Sequence, residues 1–119
     1  MDVPLRGDCY KRDCPSRAVL DHVTGRWGAL VLAALLPGTL RFSELRTRVS
    51  GISEKMLAQT LREFEADGFV KRTQYQQVPP RVDYTLTPSG VEIAKRLDHL
   101  IDWIEVHLRD FVRLRDLTS

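Results

Sequence analysis

The stretch Ser53-Glu54-Lys55-Met56-Leu57-Ala58-Gln59-Thr60-Leu61-Arg62-Glu63-Phe64-Glu65-Ala66-Asp67-Gly68 decides how this chain is read. Ser53 is a helix-capping residue type, and Gly68 tolerates the left-handed backbone found just past a helix. The two therefore bracket a helix that ends at about Asp67. Met56, Leu57, Leu61 and Phe64, continuing from Ile52, recur at helical spacing and define its buried side. Ser53, Glu54, Lys55, Ala58, Gln59 and Arg62 fall on the opposite side. That side is short near the N-terminus and rich in hydrogen-bonding groups, as a helix entering a DNA major groove requires. In isolation it would equally suit a solvated surface, since Lys, Gln and Arg are ordinary surface residues.

The flanking segments shift that balance. Upstream, Ser43 is positioned to cap a short helix from Ser43 to Val49, with Leu45 and Val49 inward and Arg46 and Arg48 toward solvent. Joined by the tight break at Ser50-Gly51, the two helices predict a helix-turn-helix. Downstream, Val70 to Tyr75 is rich in strand formers, and Arg81 to Leu86 alternates, putting Val82, Tyr84 and Leu86 on one face. Gln76-Gln77-Val78-Pro79-Pro80 reads as the loop between two antiparallel strands. A hairpin directly after such a helix is a wing, and Lys71, Arg72, Gln74, Gln76 and Arg81 are placed to approach phosphates or a minor groove. Between residues 41 and 81, eight Lys/Arg outnumber five Asp/Glu. The excess permits a nucleic-acid partner without identifying one.

Further out, Ser16 to Thr24 carries Val19, Leu20 and Val23, and Trp27 to Leu36 is almost wholly apolar; both read as helices, the second central. Near the C-terminus, Thr87 caps a helix with Pro88 at its first position. Ile93, Leu97, Leu100, Ile101, Ile104, Leu108 and Val112 then mark an apolar stripe. A continuous helix from Pro88 to Asp116 would be roughly 43 Å long, beyond the roughly 27 Å span of a compact chain of this size. Part of its stripe therefore needs a partner, and the simplest is the same helix, or the N-terminal helix, of a second copy in a twofold dimer. Leu97, Leu100, Ile101, Ile104 and Leu108 are the expected interface. The alternative is a break near His99 or His107 that folds the tail back on its own domain.

A length of 119 residues suits one domain, with 1–14 as an N-terminal arm and 15–116 as a single mainly α unit bearing a small β-hairpin. With 43% hydrophobic and 29% charged residues the composition is that of a soluble globular protein, and a net charge of +2 leaves the partner open. The apolar run from Ala29 to Leu36 is too short to cross a bilayer and no signal-peptide pattern opens the chain, so no membrane partner and a cytoplasmic location are expected. Cys9 and Cys14 are too few for a disulfide scaffold and lack a second pair for zinc, so they are expected to be thiols. Cys14 precedes Pro15 and is expected to cap the first helix, where backbone N–H groups and the helix dipole favour a thiolate. Lys11, Arg12 and Arg17 add positive charge nearby, and Asp13 opposes them. If that thiol reacts, Cys9 of either chain, Cys14 of the partner or a small thiol are open as its mate. An enzyme would have to draw on Cys9, Cys14, His22, His99 and His107, which form no nucleophile or metal-ligand pattern; no metal or cofactor is expected. A winged helix that binds protein rather than DNA is the other alternative.

Several segments together resemble a known family. Cys14-Pro15, Gly25-Arg26-Trp27, Arg41-Phe42-Ser43-Glu44-Leu45, Gly51-Ile52-Ser53-Glu54-Lys55-Met56-Leu57, Asp67-Gly68 and Val78-Pro79-Pro80-Arg81-Val82-Asp83-Tyr84 look like the HxlR-type winged helix-turn-helix regulators. The likeness spans about Cys14 to Trp103. It implies a homodimer with packed terminal helices, a recognition helix starting at Ser53, and control of a nearby promoter, often of a redox or quinone gene. The candidate DNA-binding set is Arg41, Ser43, Arg46, Ser53, Glu54, Lys55, Gln59, Arg62, Arg72 and Arg81, acting on double-stranded operator DNA. Members that sense oxidants or electrophiles such as quinones use the cysteine before the proline, here Cys14, with Cys9 as a second candidate.

Overall fold

The computed structural model describes residues 5–111, so Val112 and the expected domain limit at 116 lie outside it. Helix α1 (Pro15–Thr24) begins at the proline, whose missing N–H is harmless there, with Cys14 at the cap. Helix α2 (Gly28–Ala34) is the apolar run, and Val31 and Leu32 are fully buried. A two-residue strand, β1 (Leu40–Arg41), leads into α3 (Phe42–Arg48), and α4 (Glu54–Asp67) completes the helix-turn-helix. The strands β2 (Val70–Tyr75) and β3 (Arg81–Leu86) have the expected bounds, and α5 (Pro88–Val106) closes the described chain.

The hairpin is not two-stranded. The sheet order is β1-β3-β2, all antiparallel, with Leu40 opposite Tyr84 and Arg41 opposite Asp83. Sequence reading missed β1 because two residues carry no period. The start of α3 also differs: Ser43 is not its cap. The helix begins one residue earlier, and the Glu44 carboxylate accepts a hydrogen bond from the Arg41 backbone N–H at 2.8 Å. A side chain three residues in thus satisfies the chain just outside the helix.

One core joins these elements. Val31, Leu32, Leu45, Leu57 and Phe64 are each fully shielded. Truncating Phe64 to alanine would remove about 3–5 kcal/mol, a large share of the about 5–15 kcal/mol that keeps a domain folded. Met56, expected on the buried side of α4, is 42% exposed, and Thr60 is buried in its place. Its neighbour Leu57 is fully buried, so the core-facing arc of α4 runs through Leu57, Thr60, Leu61 and Phe64 and leaves Met56 at its edge.

The end of α4 is tightly built. Gly68 adopts φ 81°, the left-handed region. The Gly68 N–H donates to the Glu65 carbonyl and the Phe69 N–H to the Phe64 carbonyl. The Phe69 ring leans on that of Phe64, centroids 6.3 Å apart. The paired bonds satisfy the Phe64 and Glu65 carbonyls of the last turn, and the apolar contact accompanies them. The first turn of α5 is anchored on this same point. Thr87 donates from its hydroxyl to the Gly68 carbonyl at 2.6 Å and from its backbone to the Phe69 carbonyl at 3.0 Å. Gly90 sits so close to the Phe69 carbonyl that no Cβ fits between them.

Helix α5 divides into two halves. Ala94 and Leu97 are buried in the domain's own core, so Leu97 does not belong to the exposed interface set expected for it. Beyond it, Leu100, Trp103, Ile104 and Leu108 stand 42–55% exposed at helical spacing. The helix ends at Val106 with a turn at His107, and a helical turn follows over 108–111. The expected unbroken helix is therefore interrupted at one of the two foreseen positions. Up to Phe111 the described chain does not turn away there: Trp103 stacks on His107 at 4.3 Å and lies 6.4 Å from Phe111.

Candidate nucleic-acid interface

The Ser53 hydroxyl accepts a hydrogen bond from the Met56 N–H at 3.1 Å, fixing where α4 begins. From that start Lys55, Gln59 and Arg62 recur at i, i+4 and i+7, all exposed, so they form one strip along the helix. The Arg62 guanidinium donates to the Gln59 side-chain oxygen at 3.1 Å, which orients both outward groups. Glu54 accepts from Arg46 at 3.0 Å across the turn between α3 and α4. Ser43, Arg46, Ser53 and Glu54 line one open cleft at the N-terminal end of α4. Seven of the ten candidate DNA-binding residues thus lie on α4 or at its mouth: Ser43, Arg46, Ser53, Glu54, Lys55, Gln59 and Arg62.

The wing contributes unevenly. Arg72 is exposed and donates to the Gln74 side-chain oxygen at 3.2 Å. Arg81 is committed elsewhere: its guanidinium pairs with the Asp83 carboxylate and lies over the Tyr75 ring, 5.4 Å from its centroid. Hydrogen bonding from Arg81 holds the Asp83 carboxyl below the usual carboxylate range, against burial, which pushes it up. Arg81 therefore braces the wing instead of offering a free cation. The sequence signal for this pair was present, since residues two apart on a strand share a face. Arg41 is exposed on β1 opposite Asp83, and its charge adds to the lowering.

A second cluster lies at the start of α1. The Asp8 N–H donates to the Cys14 sulfur at 3.3 Å, and the Ser16 hydroxyl lies 3.1 Å from it. These bonds, the Asp8 N–H foremost, lower the Cys14 thiol pKa, while partial burial and the Asp8 charge oppose them. Hydrogen bonds, not the neighbouring Lys11, Arg12 and Arg17, are what acidify it. Cys9 is half-buried, with its thiol 3.6 Å from the Ser16 carbonyl. Among the described residues there is no group of three potential metal ligands, and no helix is long and apolar enough to cross a membrane.

At the other end of α1, His22 Nδ1 lies 2.7 Å from Asp67 at the last turn of α4, and its Nε2 is 3.7 Å from Glu63. In the sequence His22 belongs to no nucleophile or metal-ligand pattern. No local pattern links it to a residue 45 positions away.

The chain matches the family model for HxlR-like helix-turn-helix over residues 22–111. It is 51% identical over 110 residues to the uncharacterized HTH-type transcriptional regulator YtfH of Escherichia coli (strain K12), covering 92% of this chain and 87% of that one. Its fold is similar to the solved structure of ytfH from Salmonella typhimurium, with a TM-score of 0.87, 50% identity, and coverage of 93% of this chain and 99% of that chain. It is also similar to the redox regulator HypR in its reduced form, with a TM-score of 0.73, 36% identity, and coverage of 83% and 97%. These relatives are transcriptional regulators, which sets the enzyme alternative aside. With its helix-turn-helix and three-stranded wing, the chain belongs to the HxlR-like helix-turn-helix family of transcriptional regulators.

Proposed function

We propose that this regulator binds a palindromic DNA operator as a homodimer and that Cys14 makes binding responsive to an oxidant or electrophile. The observation that carries the DNA reading is the exposed strip Lys55, Gln59 and Arg62 on a capped α4 beside the wing. Such groups can reach phosphates and base edges once the helix lies in a major groove. The dimer reading rests on Leu100, Trp103, Ile104 and Leu108, an apolar stripe that the domain's own core leaves uncovered. Acting on DNA, the protein works in the cytoplasm.

The thiol reading draws on the lowered Cys14 pKa and on the likeness to HypR, a redox regulator. A quinone would be attacked by the Cys14 thiolate: a C–S bond forms and the ring takes up a proton, ending as a hydroquinone thioether. Diamide would instead accept two electrons and two protons from a pair of thiols as they join in a disulfide. The test is fluorescence anisotropy with a duplex from the DNA upstream of the protein's own gene, before and after diamide, with dithiothreitol reversal. Salt-resistant binding of that duplex over a scrambled one, lost on oxidation, supports the reading. Equal affinity for both duplexes removes the operator, and binding indifferent to diamide removes the switch.

A further inference from the structure

Three elements meet where α4 ends. Thr87 and Gly90 of α5 sit on the Gly68 and Phe69 carbonyls, and His22 of α1 reaches Asp67 from the opposite chain direction. Asp67 is nearly covered, with 9% of its side chain exposed, and His22 is 28% exposed. A carboxylate only accepts, so Nδ1 of His22 carries the proton it donates at 2.7 Å. Glu63, one turn earlier, faces the other ring nitrogen at 3.7 Å. A single imidazole thus spans two acidic groups on the last two turns of α4.

We propose that His22 is a positioning residue for DNA recognition: its hydrogen bond to Asp67 sets the tilt of α4 relative to α1, and so the aim of the recognition helix. This deepens the DNA-binding reading and rests on it. The DNA-facing strip starts with Lys55 at the far end of α4 from the bond and runs back toward it through Gln59 to Arg62. Over a helix of 14 residues, about 20 Å long, a tilt of about 10° about the His22 end swings the other end by about 3.5 Å. That is about one base-pair step at the Lys55 end and falls to about 1 Å at Arg62, so the contacts along the strip cannot all keep their register. The bond also links the helix capped by Cys14 to the recognition helix, so a rearrangement at either end of α1 has a physical route into α4.

The test uses the full chain in four variants: His22→Ala, Asp67→Ala, the double change, and His22→Asn, whose side-chain amide N–H stands where Nδ1–H stood. Affinity is read by anisotropy on the upstream duplex. Each alanine variant should weaken binding about tenfold, the loss expected of one hydrogen bond to a charged partner. The double variant should be no weaker than either single, and His22→Asn should return to within about twofold of wild type. Multiplying losses in the double variant, or His22→Asn as weak as His22→Ala, would overturn the proposal. Amide hydrogen exchange without DNA supplies an independent readout. His22→Ala should speed exchange at Gly68 and Phe69 by about tenfold or more and His22→Asn should not. Unchanged exchange in His22→Ala sinks the proposal whatever the DNA result. Faster exchange together with wild-type protein that ignores the duplex sinks the DNA reading instead, and with it the role in recognition.

Discussion

The Arg81 guanidinium grips the Asp83 carboxylate twice, Nε to Oδ1 at 2.9 Å and Nη2 to Oδ2 at 3.2 Å. Both residues lie on the central strand of the sheet, and the Asp83 side chain is 7% exposed. The pairing depresses the folded-state pKa of Asp83. A depressed carboxyl stabilises the fold at pH above its unfolded value of about 3.9 and loses that contribution as pH falls through the lower folded value. Urea unfolding of wild type and Asp83→Asn should therefore differ most near neutrality and converge in strong acid. A gap that persists unchanged into acid would assign the effect to packing instead of charge.

On α4, Lys55→Ala, Gln59→Ala and Arg62→Ala should each leave thermal unfolding near wild type, because all three side chains are exposed. A lost bidentate base contact should weaken operator binding by about 1–3 kcal/mol, and a lost phosphate contact should reduce its salt dependence. Wild-type affinity in all three would put the DNA on another surface. Footprinting should find half-site centres about 34 Å apart, or a multiple of that.

For assembly, Leu100→Asp with Ile104→Asp places two charges on the uncovered stripe of α5. These positions are 54% and 42% exposed in the single chain, so the domain itself should stay folded by circular dichroism. Sedimentation should report a monomer, since an unpaired buried charge costs about 3–5 kcal/mol. A dimer of unchanged mass would move the contact elsewhere.

At the thiol, Ser16→Ala removes one of the hydrogen bonds that favour the Cys14 thiolate. The pH midpoint for alkylation of Cys14 by iodoacetamide should rise, and the rate at neutral pH should fall. Cys14→Ser should abolish the diamide response, and Cys9→Ser then tells whether Cys9 supplies the second sulfur. An oxidant response that survives in Cys14→Ser would acquit Cys14.

Gly90→Ala tests the seat of α5. Its Cβ would press into the Phe69 carbonyl, which is held by the end of α4 and cannot withdraw freely. Overpacking of this kind costs about 1–3 kcal/mol. An alanine variant as stable as wild type would mean that this junction yields.

What sequence could tell followed the range of each signal. Ser53, Gly68 and the alternation through Arg81 to Leu86 are local signals, and α4 and the wing strands appear where they predict. The α3 start failed because Glu44 accepts from the backbone N–H of Arg41, a contact that outweighed the capping preference of Ser43. Leu97 and Leu100 share one apolar stripe, yet the first meets the core and the second does not. Periodicity assigns a face but not how far along it the neighbouring helix extends. The His22–Asp67 bond was out of reach altogether, because only the folded path brings α1 against the end of α4.

The two residues of β1 have a consequence for how such a regulator can change over generations. Leu40 and Arg41 are at once the edge of the wing sheet and the doorstep of α3, so wing and helix pair share one frame of reference. On the proposed function, side chains on α4 could be exchanged to suit a different operator without disturbing this shared frame. Insertion of a residue within β1 is different: a slip of one position would turn Leu40 away from the core and carry Arg41 inward. Side chains on the outer face of α4 can change singly, whereas the two-residue bridge beside it has no slack in length.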